Sequence, residues 1–378
     1  MTIATIATKV DLDADALVAA QQALPLATGD LPGTGGVVRV VPEDFEVEEI
    51  PLYEPSGSGE HLYLWIEKRG VDSQSLWRHL CRTLDISERE IGYAGLKDTV
   101  AVTRQYVSVP ARCAKNLSAV ETERIRVLRA VPNATKLRCG ELDGNRFRII
   151  VREVATDALS RAEAIVGRLL QQGVPNYFGP QRFGRDGNTL RQGLALLRGE
   201  RRAGPGFMLR LTLSAVQSAL FNLALAERLR DGTLHRVESG EVLQVVNSGG
   251  LLLAADVARE QTRCDQHQVV PTGPMFGPKM RTAAGAPGDR ERQLLARAGL
   301  AIDDFARFGK LLMGTRRPLL VWPAELALTG RDTGLEIRLA LPAGTYATVV
   351  LQEIVKNLGE QTALQLQGVE QTPVEELA

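Results

Sequence analysis

Apolar and polar residues alternate along this chain with two different periods, and the changes of period mark its elements. From Val37 the run "VVRVVPEDFEVEEI" alternates as a strand does, around Pro42, and "HLYLWIEKRG" gives a second strand closed by Gly70. The period then lengthens to that of a helix in "SQSLWRHLCRTLDI", with Asp72 or Ser73 as cap and Leu76, Leu80 and Leu84 on one face. Ser87-x-x-Glu90 reads as a capping box opening a short second helix. "AVTRQYVSVP", "ERIRVLRAV" and "NRFRIIVREV" return to strand, and "LSRAEAIVGRLLQQG" is a helix ended by Gly173. The clearest helix is predicted over residues 214–231, from Ser214 as N-cap to Gly232 as stop. Short strands and glycine loops fill 240–290, and a helix runs near 289–299. "GLEIRLALP" is a strand, and a last helix is capped by Thr345 and stopped by Gly359. Strands and helices interleave without regular βαβ spacing, which predicts an α+β architecture.

Composition narrows the class. A length of 378 residues suggests two domains, and 44% hydrophobic with 24% charged residues is the balance of a soluble globular protein. The first thirty residues read as a polar, weakly helical, flexible lead-in ending at "TGDLPGTGG". No run of 18 apolar residues and no leader-like apolar core are found, so neither a membrane span nor a signal peptide is expected. Cys81, Cys113, Cys139 and Cys264 form no CxxC pair, and the four histidines are scattered. Reduced structural thiols and no metal site follow.

Charge changes the picture by its distribution. The 45 basic and 45 acidic residues cancel, which argues mildly against a nucleic-acid partner. Yet between residues 176 and 210 seven arginines meet only Asp186 and Glu200, and a second basic group holds Arg307, Lys310, Arg316 and Arg317. A solvated charged surface and an RNA-gripping one fit this equally.

Candidate chemistry centres on "IGYAGLKDTV", residues 91–100, a turn between a helical run and a strand. Gly92 and Gly95 are read there as permitting a tight turn, and Asp98 as either turn chemistry or a reacting carboxylate. Lys97 beside it is either its counter-ion or a functional cation. Phe147 in "NRFRI" and Phe178 in "NYFGPQRFG" keep company with arginines and amides, a mixture suited to unstacked RNA bases. Nucleophile elbows, Walker loops, HExxH and dinucleotide fingerprints are absent, which leaves acid/base or nucleophilic work by a carboxylate.

These residues also carry a resemblance. "GYAGLKDTVAVTRQYVS" resembles the signature of the TruD family of RNA pseudouridine synthases. "PEDFEVEE", "VPNYFGPQRFG", "SALFNLALAERL", "GTRRPLL" and "LPAGTYATVVLQE" are similar to the family's other blocks, in the same order, from about Gly33 to Glu353. The resemblance implies a pseudouridine-synthase catalytic domain with a largely antiparallel central sheet flanked by helices, formed by residues 33–181 and 322–378. A smaller α/β TRUD domain would be inserted at 182–321, and residues 1–32 would be the lead-in. By the same resemblance Asp98 is the catalytic aspartate, which attacks the ribose of uridine or promotes elimination there. Phe147 would stack on the target base, with Asn145 beside it. Lys97 would orient Asp98 or hold phosphate. Arg39 stands where the family often has lysine, a change of cation geometry. Gln105, within the signature, is read as structural. Arg182, Arg185, Arg316 and Arg317 would grip RNA. The implied partner is tRNA, at uridine 13 of the D-arm, for a cytoplasmic monomer without cofactor, metal or membrane. Two rivals stand beside this reading. One is a catalytically idle RNA-binding or RNA-folding protein. The other is a carboxylate hydrolase using Glu48 or Glu49 as a second acid.

Overall fold

The structure, a computed structural model, describes residues 12–202 and 208–357. They form two compact units, one of residues 30–170 and 322–357, the other of residues 12–29 together with 171–202 and 208–321.

The larger unit is built on a nine-stranded sheet. Its strands are β1 (Val37–Val38), β2 (Phe45–Pro51), β3 (His61–Arg69), β4 (Gly92–Tyr93), β5 (Val102–Pro110), β6 (Ile125–Asn133) and β7 (Leu142–Arg152), completed by a hairpin of Ala324–Arg331 and Gly334–Pro342. The order across the sheet is hairpin, β7, β2, β5, β3, β6, with β1 added to β7 and β4 to β5. β2 and β5 pair in parallel, whereas the other pairings are antiparallel.

Alternation sorts the residues between faces. In β2, Phe45, Val47 and Glu49 are buried while Glu46 and Glu48 are partly exposed. The exposed positions join a ladder of ion pairs: Arg148 to Glu46 at 2.5 Å and Glu336 at 3.0 Å, Arg104 to Glu67 at 2.8 Å, and Arg146 to Glu325 at 2.6 Å. Glu48 belongs to this ladder, 3.2 Å from Arg146. On the other side of β3 and β5, Leu62, Leu64, Ile66, Val107 and Val109 pack against Leu76, Trp77, Leu80 and Leu84 of the helix Ser73–Leu84. Burying each such side chain is worth about 1.5–3 kcal/mol. Asp72 caps that helix, accepting from the Ser75 N–H at 2.8 Å.

The smaller unit combines the helices Ala14–Gln22, Asn188–Leu197 and Met208–Arg230 with a four-stranded sheet. The sheet order is Leu251–Leu253, Val242–Val245, Val269–Met275, Thr315–Pro318. Residues 12–29 are no loose lead-in. Asp13 caps Ala14–Gln22, Leu17 and Val18 are buried, and Gln21 donates to the carbonyl of Ala219 at 3.4 Å. A Cβ at Gly187 would run into Val18, so this helix lies directly on that glycine. The boundary read at Arg182 lies inside this unit, whose second segment runs from Gln171 to Val321.

Three further readings differ from the structure. The helix read from Ser214 begins at Met208, because the apolar period continues upstream. The Ser214 hydroxyl, taken as a cap, instead donates back to the Leu211 carbonyl at 3.0 Å. This helix is long and apolar enough to cross a membrane, but 72% of its apolar window is buried inside the fold. The last helix starts at Ala347 after Tyr346, and the Thr345 hydroxyl bonds the Pro342 carbonyl instead. It ends at Val355, before Lys356 at φ +66°, while Gly359 lies outside the described residues. The helix read near 289–299 spans Gly285–Arg297.

Candidate active site

Parallel strands begin at the same end of a sheet, so the segments leading into β2 and β5 approach one another. β3 runs antiparallel to β5 and finishes there, with Arg69 opposite Val102. Three distant stretches therefore meet: Arg39, the end of β3 at Lys68, and the turn holding Asp98. Arg39 Nη2 lies 3.3 Å from Asp98 Oδ1, with the arginine side chain 1% exposed and the aspartate 24%. Arg39 is held at φ +61°, an uncommon backbone state for a residue with a side chain. Its guanidinium sits 3.8 Å above the Phe45 ring, and Phe45 meets Phe147 edge to face at 6.1 Å. Such a cation over a desolvated ring adds about 2 kcal/mol.

The turn itself has few backbone bonds and is tied down by side chains. Gln105 Nε2 donates to the Gly95 carbonyl at 3.2 Å. Ser73 Oγ lies 3.5 Å from both the N–H and the carbonyl of Lys97. Lys68 Nζ donates to the Asp98 carbonyl at 2.8 Å. Neither Gly92 nor Gly95 has left-handed backbone, contrary to their reading as turn formers. Gly92 is required by close approach, since a Cβ there would collide with the Leu137 carbonyl oxygen, whereas at Gly95 it would make ordinary contacts.

Lys97 does not face solvent. Its Nζ is 2.7 Å from Glu49 Oε2, the two side chains being 3% and 1% exposed, and Glu49 Oε1 accepts the Tyr106 N–H at 3.2 Å. Alternation along β2 turns Glu49 inward, and a buried carboxylate demands a cation. Lys97 is that cation, which corrects its reading as a substrate contact.

Register places the remaining residues. Val47 is opposite Phe147, and Glu49 opposite Asn145, so all four side chains share the inner face. Phe147 is 7% exposed and forms floor more than platform. Asn145 is partly exposed, and its Oδ1 is buried without a hydrogen-bond partner among the described residues; the same holds for Nε and Nη1 of Arg39.

The arginines expected to grip RNA lie in the smaller unit and differ among themselves. Arg316 is buried. It makes a two-point contact with Glu291 at 2.8 and 3.0 Å and donates to the carbonyl and hydroxyl of Thr272, beside a cavity of about 150 Å³. Its donors are occupied inside the unit, which corrects its reading as a phosphate contact. Arg317 stacks at 4.1 Å on Phe178 and bonds the side chain of Asn176 at 2.6 Å. Arg182 donates to Ser218 and Ser214 at 3.1 and 2.8 Å. Arg185 is exposed.

The sequence alone does not pick out Phe45 or Lys68 for this site, and it offers Glu49 only as a hydrolase's second acid. One signal is present for Lys68: in "HLYLWIEKR" the inward positions read Leu62, Leu64, Ile66, Lys68, which puts a lysine where a core residue belongs.

The family model for tRNA pseudouridine synthase D (TruD) matches residues 24–204 and 201–354. The tRNA pseudouridine synthase D of Anaeromyxobacter sp. (strain Fw109-5) is 45% identical over 338 residues, 88% of this chain and 96% of that protein. The tRNA pseudouridine synthase D of Thermus thermophilus is 40% identical over 341 residues, 90% and 94% of the two chains. A crystal structure of the putative tRNA pseudouridine synthase D from Methanosarcina mazei superposes with a TM-score of 0.71 at 25% identity, covering 90% of this chain and 97% of that one.

Proposed function

The chain belongs to the TruD family of tRNA pseudouridine synthases, and from that premise we propose that it isomerises uridine 13 in the D-arm of tRNA, with Asp98 as the reacting group. The observation that carries the proposal is the Arg39–Asp98 pair, a partly exposed carboxylate held by a buried guanidinium at the mouth of the β2–β5 pair.

In this reading the Asp98 carboxylate attacks the ribose or promotes elimination, and the bond from C1′ to N1 breaks. The uracil turns and C5 bonds to C1′, displacing the Asp98 carboxylate where it had bonded there or, after elimination, with the proton returned to C2′. C5 then gives up its proton and N1 takes one up, so product and substrate are isomers. A retaining glycosidase needs a second carboxyl about 5–5.5 Å away to deliver water. Here Glu49 is neutralised by Lys97 and Glu48 points to the opposite face, an arrangement that favours isomerisation over hydrolysis. The Arg39 guanidinium is too buried to reach the base and serves Asp98 instead, and Asn145, opposite Glu49, shares the inner face with Phe147. Phe147 supports the base from below, and Arg185 contributes a phosphate contact from the smaller unit.

The test is to incubate the protein with an unmodified tRNA transcript and map pseudouridine to single nucleotides. Pseudouridine at position 13 is the expected result. Modification confined to another position would overturn the assignment of the target, and tight binding without product would favour the idle scaffold. Phe147→Leu is expected to slow turnover about tenfold to a hundredfold, the scale of one lost base–aromatic stack of about 1–3 kcal/mol. Single-turnover kinetics check this, and an unchanged rate would remove Phe147 from the base site.

A further inference from the structure

We propose that Lys68 is a positioning residue for this reaction: its buried ammonium clamps the main chain of Asp98 to that of Val71, and so fixes where the Asp98 carboxylate stands. The inference rests on the proposed role of Asp98. Lys68 Nζ donates to the Asp98 carbonyl at 2.8 Å and the Val71 carbonyl at 2.7 Å. The residue is 0% exposed.

Its placement follows from register. Lys68 pairs with Thr103 and ends the inward row of Leu62, Leu64 and Ile66, so its stem is core and its head reaches the base of the turn. The contrast with Lys97 is informative. Both ammonium groups are buried, but Lys97 has Glu49 as a direct partner, whereas Lys68 makes no ion pair within 4 Å among the described residues. An ammonium without a paired anion is a costly way to bond two carbonyls. What it secures is the one residue whose position the chemistry depends on, and a displacement of about 1 Å there can lower a rate about 10²-fold.

The charged groups facing Lys68 are Asp98 and Asp72, which favour its protonation, and Lys97, which opposes it. Burial outweighs them and pushes Lys68 down to about 8. Raising the pH through that value therefore removes its charge in the folded protein.

The experiment compares the full-length wild-type protein, Lys68→Met and Lys68→Arg on an unmodified tRNA transcript. Single-turnover rate, tRNA affinity and Tm are followed from about pH 6 to 9.5. Lys68→Met is expected to lower the rate about 10²-fold, with affinity held within about threefold. The wild-type rate is expected to fall as pH rises past about 8, and Lys68→Arg, which stays charged, to carry that fall to higher pH. A Lys68→Met rate within about twofold of wild type overturns the proposal, as do parallel losses of rate, affinity and Tm. If Lys68→Met does not fold, the alkaline limb decides, and an unmoved limb in Lys68→Arg overturns the proposal. Wild-type protein that forms no pseudouridine would instead remove the reading of Asp98 on which the clamp depends.

Discussion

Asp98→Asn is expected to reduce pseudouridine formation by at least about 10⁴-fold, the scale on which removal of a reacting group acts. The substitution keeps the shape of the side chain and an oxygen for Arg39 Nη2 to bond, but it removes the negative charge and the lone-pair reactivity. Its structural consequences are small by comparison. The carboxylate is partly exposed, and its pair with Arg39 is 3.3 Å long. Losing the anion opposite a buried guanidinium costs at most about 3 kcal/mol, because Asp98 is partly exposed and its charge is screened by solvent. Kinetics under saturating protein, together with tRNA affinity and Tm, separate the outcomes. A large loss of rate with near-normal affinity and Tm is the expected pattern. Equal rates from both proteins would take Asp98 out of the chemistry.

The second large effect is one of stability. Lys97→Met leaves the Glu49 carboxylate buried without its partner, and breaking a buried pair in this way costs about 3–5 kcal/mol. For a cooperative unit the size of the larger one, residues 30–170 and 322–357, that lowers Tm by about 6–20 °C. Glu49→Gln removes the charge from the other side while keeping an oxygen for the Tyr106 N–H. The double variant Lys97→Met with Glu49→Gln is therefore expected to regain at least about 2 kcal/mol over Lys97→Met alone, because no uncompensated charge remains. Thermal or denaturant unfolding of the three variants checks this. Wild-type stability in Lys97→Met, accompanied by weakened tRNA affinity, would restore Lys97 to the substrate side.

Much of the larger unit is legible in the sequence because alternation is a local property. The strands around Phe45, Leu62 and Phe147 announce themselves by period, and the Asp72 cap by residue type. The parallel pairing of β2 and β5 is not legible, since it joins segments more than fifty residues apart with no local mark. Yet that pairing is what brings Arg39 to Asp98. Lys97 misleads for a related reason: its partner, Glu49, is distant in sequence, and a lysine beside an aspartate looks locally like a surface pair. The arginines show the limit of counting charge. Arg316 and Arg317 are adjacent in sequence, but strand geometry sends one to Glu291 and the other onto Phe178. The N-terminal helix, short and built largely of alanine, gives no sign that Leu17 and Val18 complete the core of the smaller unit.

The central claim is that uracil is detached and rejoined within one site having a single reactive carboxylate. The most direct measurement is a mass balance in one reaction on an unmodified tRNA transcript, counting pseudouridine formed and free uracil released. The account predicts pseudouridine equal to the uridine consumed, with uracil at background. Free uracil in step with uridine loss would contradict it and point to hydrolysis.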